Sequence, residues 1–512
     1  MSTSSASLPV IIMNAADNVA VARAALMPGA ATGRADIAAL QRIPRGHKVA
    51  LAPIEAGAAV RKYGQIIGFA KAAIKPGEWV HEHNCAMQDL ELDYAHGADA
   101  RPVNLVGEDE RASWQGFKRG NGKVGTRNYL AVISTVNCSA TVSRYVAQRF
   151  NQQGGLAGFA NIDGVVALTH GTGCGLNIKG EGYDILARTI WGYANNPNFG
   201  GVVVIGLGCE GNQISYLKER YGIEEGRLFR TLTIQDTGGT QKTIAAACDG
   251  LREMLPDVNA QTRGAASAAD LVVALQCGGS DGYSGISANP ALGVAADLIV
   301  KHGGTAILSE TPEIYGAEHL LTRRARSPEV GKKLIERIEW WRRYCDREGA
   351  EMNNNPSPGN KLGGLTTILE KSLGAVAKSG TSPLNAVYQY AEPVTEKGFV
   401  YVDTPGHDPV CSTGQIASGA NIMCFTTGRG NVQGYKPVPT IKLATNTDMY
   451  ERMKEDMDLN CGTIVTGEET IEAAGQRIFL KLLAVASGER TWSEQYDYGD
   501  NEFVPWHIGA VM

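Results

Sequence analysis

Four cysteines in the 512-residue chain each follow a short apolar run of the kind that forms a buried strand. They are Cys138, Cys174, Cys209 and Cys277, at successive spacings of 36, 35 and 68 residues. A βα unit takes roughly 30 residues or more, so these spacings correspond to one, one and two units. Because ligands of an open α/β sheet bind outside the carboxyl ends of its strands, we expect the thiols to meet at one sheet edge. The alternative is that each cysteine is a small buried apolar residue.

Other polar side chains lie in glycine-rich segments behind predicted strands. His170 stands four residues before Cys174, which suits metal binding or proton transfer, with a structural histidine as the alternative. Ser280 and Asp281 share a loop with several glycines, which allow the backbone to approach a small ligand closely. These loops are the first candidates for a binding site.

Two further loops contain positively charged side chains. Asn360 and Lys361 lie in a glycine-rich segment before a helix predicted to begin near Thr366, where an anion would find free N–H groups. An ordinary capped loop is the alternative. Arg429 stands between two glycines after another apolar run, and its guanidinium fork suits a carboxylate.

The first 90 residues contribute imidazoles. His81 and His83 lie on one face of a predicted strand, and His47 with Lys48 adds two more donors. We consider them as ligands or substrate contacts, against the alternative that they are surface residues.

The run Gly206–Gly211 matches the G-x-G-x-x-G dinucleotide fingerprint and follows a predicted strand. The carboxylate of Glu210, however, would repel a pyrophosphate at this turn. The ribose-binding acid is expected about 20 residues on, whereas Asp236 comes 25 residues after the last glycine. A nicotinamide oxidoreductase is therefore only the alternative of another class.

The sequence predicts two kinds of domain that position these segments. Short apolar runs broken by turns predict a small β-rich domain over residues 1–95, followed by a polar linker at 96–112. Apolar runs alternating with helical stretches then predict α/β domains with largely parallel sheets at 113–258 and 259–512, the latter catalytic. Glycine is 62 of 512 residues against an ordinary usage of roughly 7%, and much of the excess lies in the loops after these strands.

Composition excludes several classes of protein. The net charge of −5 and the lack of long basic runs argue against nucleic-acid binding. No apolar stretch approaches the roughly 20 residues of a membrane span, and the N-terminus has no basic signal region. Ten cysteines without a C-x-x-C spacing do not form a secreted disulfide pattern. We therefore expect a cytoplasmic protein that binds neither membrane nor nucleic acid.

Taken together, the motifs resemble the altronate and galactarate dehydratases over nearly the whole chain. The matching segments are Phe117–Asn128, His170–Cys174, Gly206–Glu210, Cys277–Asp281, Asn289–Pro290, Asn355–Lys361 and Thr427–Gly430. The resemblance implies an N-terminal SAF-type domain and two further domains. It also implies dehydration of a sugar acid to a 2-keto-3-deoxy acid with a divalent metal, usually iron(II). Manganese(II) and an iron–sulfur centre with an open iron are the alternatives.

Removing a proton next to a carboxylate creates an enediolate, so the reaction needs a base, an acid and cationic stabilisation. We predict His170, Lys361 and Asp281 as catalytic residues, with His170 as the base unless it binds the metal. The predicted metal ligands are thiols and imidazoles: Cys138, Cys174, Cys209, Cys277, His81 and His83. The predicted substrate contacts are His47, Lys48, Arg127, Asn128, Ser280, Asn360 and Arg429.

Within the family, Val80–Asn84 and Pro312–Glu318 look like the altronate-type enzymes, whereas Gly467–Ile471 looks more like the galactarate type. Altronate is therefore the predicted substrate, with galactarate or another hydroxy acid as the alternative. A homo-oligomer is expected.

Overall fold

The computed structural model describes residues 8–34 and 36–512, and its first part is an antiparallel β module. Seven short strands form it: β1 (Val10–Ile11), β2 (Val19–Ala22), β3 (Lys48–Ala50), β4 (Ala59–Lys62), β5 (Gln65–Ala70), β6 (Trp79–Val80) and β7 (Cys85–Ala86). They pair in two sheets of order β1-β2-β3-β6 and β4-β5-β7. Ile43, Val49 and Ile67 are fully buried. The predicted β-rich N-terminal domain is confirmed.

Residues 87–107, all of them described, form neither helix nor strand, and a 3₁₀ turn follows at Glu108–Glu110. A small antiparallel sheet comes next, in the order β14-β8-β9. It consists of β8 (Ser113–Lys118), β9 (Val124–Gly125) and β14 (Gly264–Ser267). This sheet joins the two ends of the chain segment that forms the middle domain.

The middle domain is a four-stranded parallel sheet covered by helices. Its elements are β10 (Tyr129–Ser134), α1 (Asn137–Asn151), β11 (Gly164–Leu168), α2 (Glu181–Ala194), β12 (Phe199–Gly206), α3 (Ile214–Tyr221), β13 (Phe229–Thr233), α4 (Ile234–Thr237) and α5 (Thr240–Ala260). The strand order is β11-β10-β12-β13. Helix α1 buries Val142, Val146 and Phe150 at the four-residue spacing of an amphipathic helix.

The C-terminal domain contains a seven-stranded parallel sheet of order β17-β18-β16-β15-β19-β20-β21. Its strands are β15 (Val272–Cys277), β16 (Thr305–Leu308), β17 (Leu384–Tyr388), β18 (Gly398–Val402), β19 (Ile422–Thr427), β20 (Thr440–Ala444) and β21 (Leu459–Asn460). Every residue of β16, β18, β19 and β20 is buried, as in a sheet with helices on both faces. The predicted parallel α/β architecture is confirmed.

Ten helices accompany these strands in the described chain: α6 (Ala288–Lys301), α7 (His319–Thr322), α8 (Pro328–Glu348), α9 (Pro358–Leu362), α10 (Ile368–Val376), α11 (Asp408–Ala417), α12 (Thr447–Arg452), α13 (Thr463–Thr466), α14 (Ile471–Ala486) and α15 (Trp492–Gln495). Short 3₁₀ turns occur at Ala268–Asp270, Thr311–Glu313, Met352–Asn354 and Ala377–Ser379. None of the helices in residues 8–34 and 36–512 combines the length and the apolar character that crossing a bilayer requires.

The middle and C-terminal domains are packed directly against each other through α2 and α11. An added Cβ on Gly192 would lie 2.1 Å from the carbonyl oxygen of Ala417, so the two helices meet at backbone distance. Asn196 donates to the carbonyls of Ile416 and Ala420 at 3.1 and 2.9 Å. The end of the chain also returns to the middle domain, where the N–H of Met512 donates to Gly175. The two sheets therefore belong to one compact body.

Candidate active site

The structure separates the four strand-end cysteines into two groups. Cys138, Cys174 and Cys209 follow strands of the middle sheet, whereas Cys277 ends β15 in the seven-stranded sheet. The single edge expected from the sequence is therefore wrong. An apolar run shows that a strand is buried but not which sheet it joins.

Cys277 belongs to a buried group that we call the acid–lysine cluster: Cys277, Glu310, Glu313, Lys371 and Lys378. The thiol and one carboxylate oxygen from each glutamate lie within 4.8 Å of one another. Nζ of Lys378 is 2.9 Å from Sγ of Cys277 and 3.2 Å from Oε2 of Glu310. Nζ of Lys371 is 2.7 Å from Oε1 of Glu313. Each glutamate thus has its own ammonium partner.

Burial sets the protonation of this cluster. Burial, and then the charge of Glu313, raise the pKa of Glu310 to about 8. Burial raises the pKa of the Cys277 thiol to about 12, although Lys378 opposes the shift. Cys277 is therefore a neutral thiol in this arrangement, and the two glutamates share one dry, crowded site.

Asp408, the first residue of α11, adds a third carboxyl beside the cluster. Gly278 lies so near that an added Cβ would stand 2.1 Å from Oδ2 of Asp408, and Asn431 donates to the same oxygen at 3.4 Å. Burial, and then the charge of Glu313, raise the pKa of Asp408 to about 7. A half-buried carboxyl with that pKa exchanges a proton readily near neutral pH.

Arg429, which is positively charged, lies on the same loop as Asn431. The backbone N–H of Arg429 donates to the carbonyl of Gly279 at 2.8 Å, which ties this loop to the one after Cys277. The Arg429 side chain is exposed, and its guanidinium has neither an ion-pair nor a hydrogen-bond partner among the described residues. It is therefore available to a carboxylate, and its contact with a substrate stays a prediction.

The N-terminal module brings an aromatic and imidazole face to this region. His47 accepts from Trp79 Nε1 at 3.2 Å, and the ring of His81 stacks on Trp79 with centroids 5.3 Å apart. Burial and the nearby charge of Lys48 lower the pKa of His47 and of His81 to about 4. Both rings are neutral at pH 7, and Nδ1 of His81 is buried without a hydrogen-bond partner in the described chain. His83 is exposed beside Trp79.

The segment 353–364 connects this face to the acid–lysine cluster. Asn355 donates to Oε1 of Glu313 at 2.7 Å, and Leu362 presents its carbonyl 3.2 Å from Nε2 of His47. Between them, Nζ of Lys361 lies 3.1 Å from Glu82. One segment therefore reaches both halves of the candidate site.

Lys48 has a structural role instead of the predicted substrate contact. Its Nζ donates to Glu370 at 2.8 Å and to the carbonyl of Gly364 at 2.6 Å, and Lys62 donates to the other oxygen of Glu370 at 3.0 Å. All three side chains are essentially fully buried. Burial alone would raise the pKa of Glu370, but the two lysines hold it well below its usual range.

Backbone contact reinforces this docking. An added Cβ would stand 2.0 Å from the carbonyl oxygen of Gly46 if placed on Gly282, and 2.4 Å from it if placed on Gly364. Only glycine fits at both positions, because any side chain would push the module away. Part of the glycine excess therefore serves domain docking.

Asp281, a predicted catalytic residue, organises its own loop. Its carboxylate accepts from Thr445 and Asn446 at 3.0 Å each and from the hydroxyl of Ser284 at 3.1 Å. Asn360 donates to the carbonyl of Ser280 at 2.8 Å, which joins this loop to α9. These buried contacts position the loops, and both carboxylate oxygens of Asp281 are engaged within the fold.

His170 is likewise engaged on both ring nitrogens. Nε2 lies 3.0 Å from the carbonyl of Ser134, and the N–H of Thr172 donates to Nδ1 at 3.3 Å. Burial lowers its pKa to about 4. The predicted base is therefore a positioning residue that links the loops after β10 and β11.

Arg127 and Asn128 also hold the scaffold together. Arg127 forms a two-point pair with Glu494 at 2.6 and 2.9 Å and donates to the carbonyl of Val485 at 2.9 Å. Asn128 donates to the carbonyls of Asn161 and Val258. The predicted substrate contacts are wrong for both, because every strong donor is used within the fold.

The carboxylate of Glu210 argues against dinucleotide binding at the turn Gly206–Gly211. This carboxylate is buried and accepts the N–H groups of Leu207 and Gly208 at 3.1 and 2.6 Å, and the hydroxyl of Thr135 at 2.8 Å. These are the N–H groups that a pyrophosphate would need. The turn is therefore filled by the protein's own acid.

Several residues of the site carried no sequence signal strong enough to select them. Glu310 and Asp408 lie in polar runs that follow predicted strands, but such runs are common. Glu313 lies in the segment Pro312–Glu318, which indicated a substrate type but no role for this residue. Lys371 and Lys378 lie on helical turns without a motif, and only the tertiary fold brings all three to Cys277.

Comparison with known proteins decides the family. The family model for the D-galactarate/altronate dehydratase C-terminal region matches residues 268–511, and the second-domain model matches 116–259. The altronate/galactarate dehydratase SAF domain matches 8–88. The chain belongs to the altronate/galactarate dehydratase family.

Three relatives of this family member are similar over most of their length. Galactarate dehydratase (L-threo-forming) of Escherichia coli K12 is 39% identical over 467 residues, 89% of this chain and 88% of the relative. Altronate dehydratase of Bacillus subtilis 168 is 35% identical over 89% of this chain and 90% of its own. Altronate dehydratase of E. coli K12 is 34% identical, with shares of 95% and 97%.

Proposed function

We propose that the protein removes water from a sugar acid to give a 2-keto-3-deoxy acid. The observation that carries this proposal is Asp408, a half-buried carboxyl with a pKa of about 7 at the carboxyl edge of a parallel sheet, near an exposed arginine. Family membership supports the same reaction class.

In this proposal Arg429 binds the substrate carboxylate and Asp408 takes the proton from the adjacent carbon. The electron pair of that C–H bond forms a carbon–carbon double bond as the β C–O bond breaks. Lys361 gives its proton to the departing hydroxyl, which leaves as water. The resulting enol then tautomerises to the keto acid.

The divalent metal implied by the resemblance does not fit the acid–lysine cluster. In residues 8–34 and 36–512, the one group of three metal-type ligand atoms within 4.8 Å of one another is Cys277, Glu310 and Glu313. Lys378 and Lys371 already lie within hydrogen-bonding distance of all three. An added divalent ion would be repelled by both ammonium groups, so we route no step through a metal at this place.

The test is a substrate panel. Purified protein, kept anaerobic and supplied with iron(II), is incubated with altronate, galactarate and other aldonates and aldarates, and 2-keto-3-deoxy acids are quantified. Altronate, the predicted substrate, is tested first and galactarate second. Both are needed, because identities of 39% to a galactarate dehydratase and 35% to an altronate dehydratase do not separate the two substrates. Keto acid from one of them supports the proposal. No keto acid from any substrate would overturn it, and NADH formation would favour the oxidoreductase instead.

Replacing Arg429 with Met should raise KM by roughly 10- to 100-fold, the effect of losing a charged hydrogen bond worth about 1.5–3 kcal/mol. The thermal unfolding temperature should not change, because the guanidinium has no partner in the described fold. Steady-state kinetics on the panel substrate measure this effect. Arg343→Met, on the exposed face of α8, is the matched control and should leave KM unaltered. An unchanged KM in the Arg429 variant would remove this residue from the carboxylate site.

A further inference from the structure

The chain's ten cysteines divide sharply by exposure. Three are exposed, Cys138, Cys174 and Cys209, while six are buried and Cys345 is intermediate. Free cysteine is among the most buried residue types, so an exposed thiol is unusual and three together call for an explanation. The three exposed thiols are also the three that follow strands of the middle sheet.

Adjacent loops carry these thiols. Cys138 follows β10, the centre of the trio, and β10 pairs in parallel with both β11 and β12. The N–H of Asn137 donates to Thr172 at 2.9 Å, and the N–H of Asn212 donates to Gly173 at 3.2 Å. Each hydrogen bond joins two of the three loops, so the loops form one continuous surface.

Buried side chains hold that surface in shape. His170 ties the Cys174 loop to Ser134, and Glu210 ties the Cys209 loop to Thr135. Gly173, beside Cys174, has φ 103°, and an added Cβ would lie 2.4 Å from the carbonyl oxygen of Thr135. The fold thus presents the three thiols from a fixed base, as a preorganised ligand set requires.

The spacing of the thiols differs from that of ligands around a single ion. Thiolates around one tetrahedral zinc, with bonds of about 2.3 Å, lie about 3.8 Å apart. Among the described residues, the one trio of ligand atoms found within 4.8 Å of one another does not include these cysteines. The three sulfur atoms therefore do not stand at the mutual distances of one tetrahedral site, whereas an inorganic cluster whose thiolates bind separate iron atoms sets its ligands further apart.

We propose that Cys138, Cys174 and Cys209 bind a [4Fe–4S] cluster, with its fourth iron free of any cysteine ligand. Thiolates are the ligands of such clusters. Cys138 is the second residue of α1, and the N-terminus of this 15-residue helix is a favourable place for a negatively charged group such as a thiolate-ligated cluster. Assembly from two ferrous ions, two ferric ions and four sulfides forms three Fe–S(Cys) bonds and releases three thiol protons to the buffer.

The role of this cluster, unlike its assembly, rests on the proposed function. An iron without a protein ligand would have an open coordination position. As a Lewis acid, this iron could bind a hydroxyl or carboxylate oxygen of a hydroxy acid. This assignment would place the iron implied by the family on the middle domain, away from the acid–lysine cluster.

The test uses the full chain, reconstituted anaerobically with ferrous and ferric iron, sulfide and a thiol reductant. We expect about four iron and four sulfide per chain, with the visible charge-transfer absorption of an iron–sulfur centre. Mild oxidation should release the open iron and give the electron paramagnetic resonance signal of a [3Fe–4S] centre. These readouts do not depend on activity. Cluster binding can therefore be found even if the substrate panel gives no keto acid, and keto acid can be formed even if no cluster binds.

Single variants Cys138→Ser, Cys174→Ser and Cys209→Ser should each lose most of the bound iron and sulfide. Their circular dichroism and thermal unfolding, measured without iron, should match the unsubstituted chain, because the thiols are exposed. Cys345→Ser, outside the trio, should retain the cluster. Undiminished iron and sulfide in the three variants, or binding of one zinc with no sulfide-dependent absorption, would overturn the proposal.

Discussion

Asp408→Asn should lower kcat by roughly 100- to 10,000-fold, the usual contribution of a positioned general base. The amide keeps the contact with Asn431 but cannot accept the substrate proton. In the unsubstituted enzyme, kcat/KM should rise as the pH increases through about 7, because Asp408 acts in its ionised form. Pre-steady-state and steady-state assays across pH 5–9 measure both effects.

Stability separates a chemical role for Asp408 from a structural one. The folded-state pKa lies above the unfolded value of about 3.9, so ionising Asp408 costs folding free energy as the pH rises from about 4 through 7. Asp408→Asn should therefore be at least as stable as the parent at pH 8. Asp346→Asn, on the exposed side of α8, is the control. A kcat within threefold of the parent would contradict the assignment.

Glu370→Gln should destabilise the protein by about 3–5 kcal/mol, the cost of leaving a buried charge without its partner. Two lysines, Lys48 and Lys62, would then be buried against a neutral amide. The N-terminal module should loosen from the C-terminal domain, and proteases should cut the segment 87–107 faster. Denaturant unfolding and limited proteolysis measure these effects.

The pH dependence has a defined sign. Because the folded-state pKa of Glu370 lies below the unfolded value of about 4.3, its contribution is present above that pH and is lost as the pH falls further. Glu489→Gln, which removes the exposed pair with Lys481, is the control and should cost less than 1 kcal/mol. Replacing Lys48, Lys62 and Glu370 together with apolar residues should restore much of the stability, since no buried charge is then left alone. A Glu370→Gln variant as stable as the parent would show that the module docks by other means.

Local sequence patterns predicted the architecture better than the site. Alternating and continuous apolar runs were enough for the β module and the parallel sheets, because strand burial is a local property. They could not show that Cys277 enters a different sheet from Cys209, because sheet membership depends on long-range pairing. The same limit hid Lys378, which reaches Cys277 across 101 residues.

Functional residue types were also misleading where they serve the fold. His170, Asp281 and Arg127 have the chemistry of a base, an acid and a carboxylate clamp, and each uses it on neighbouring protein groups. Their hydrogen-bond partners are backbone carbonyls, amides and distant acids that no local motif contains. Arg429 differs because its loop leaves the guanidinium exposed.

The buried lysines also bear on how the chain is made. Lys62 and its partner Glu370 are 308 residues apart, so at about 5–20 residues per second the ribosome adds Glu370 some 15–60 s after Lys62. During that interval the docking face of the β module stands in water with two solvated charges. An apolar face of the same area would be a target for aggregation or chaperone capture over the same period. We therefore expect the charged docking residues to help keep the nascent module soluble until the domain that covers them has been synthesised.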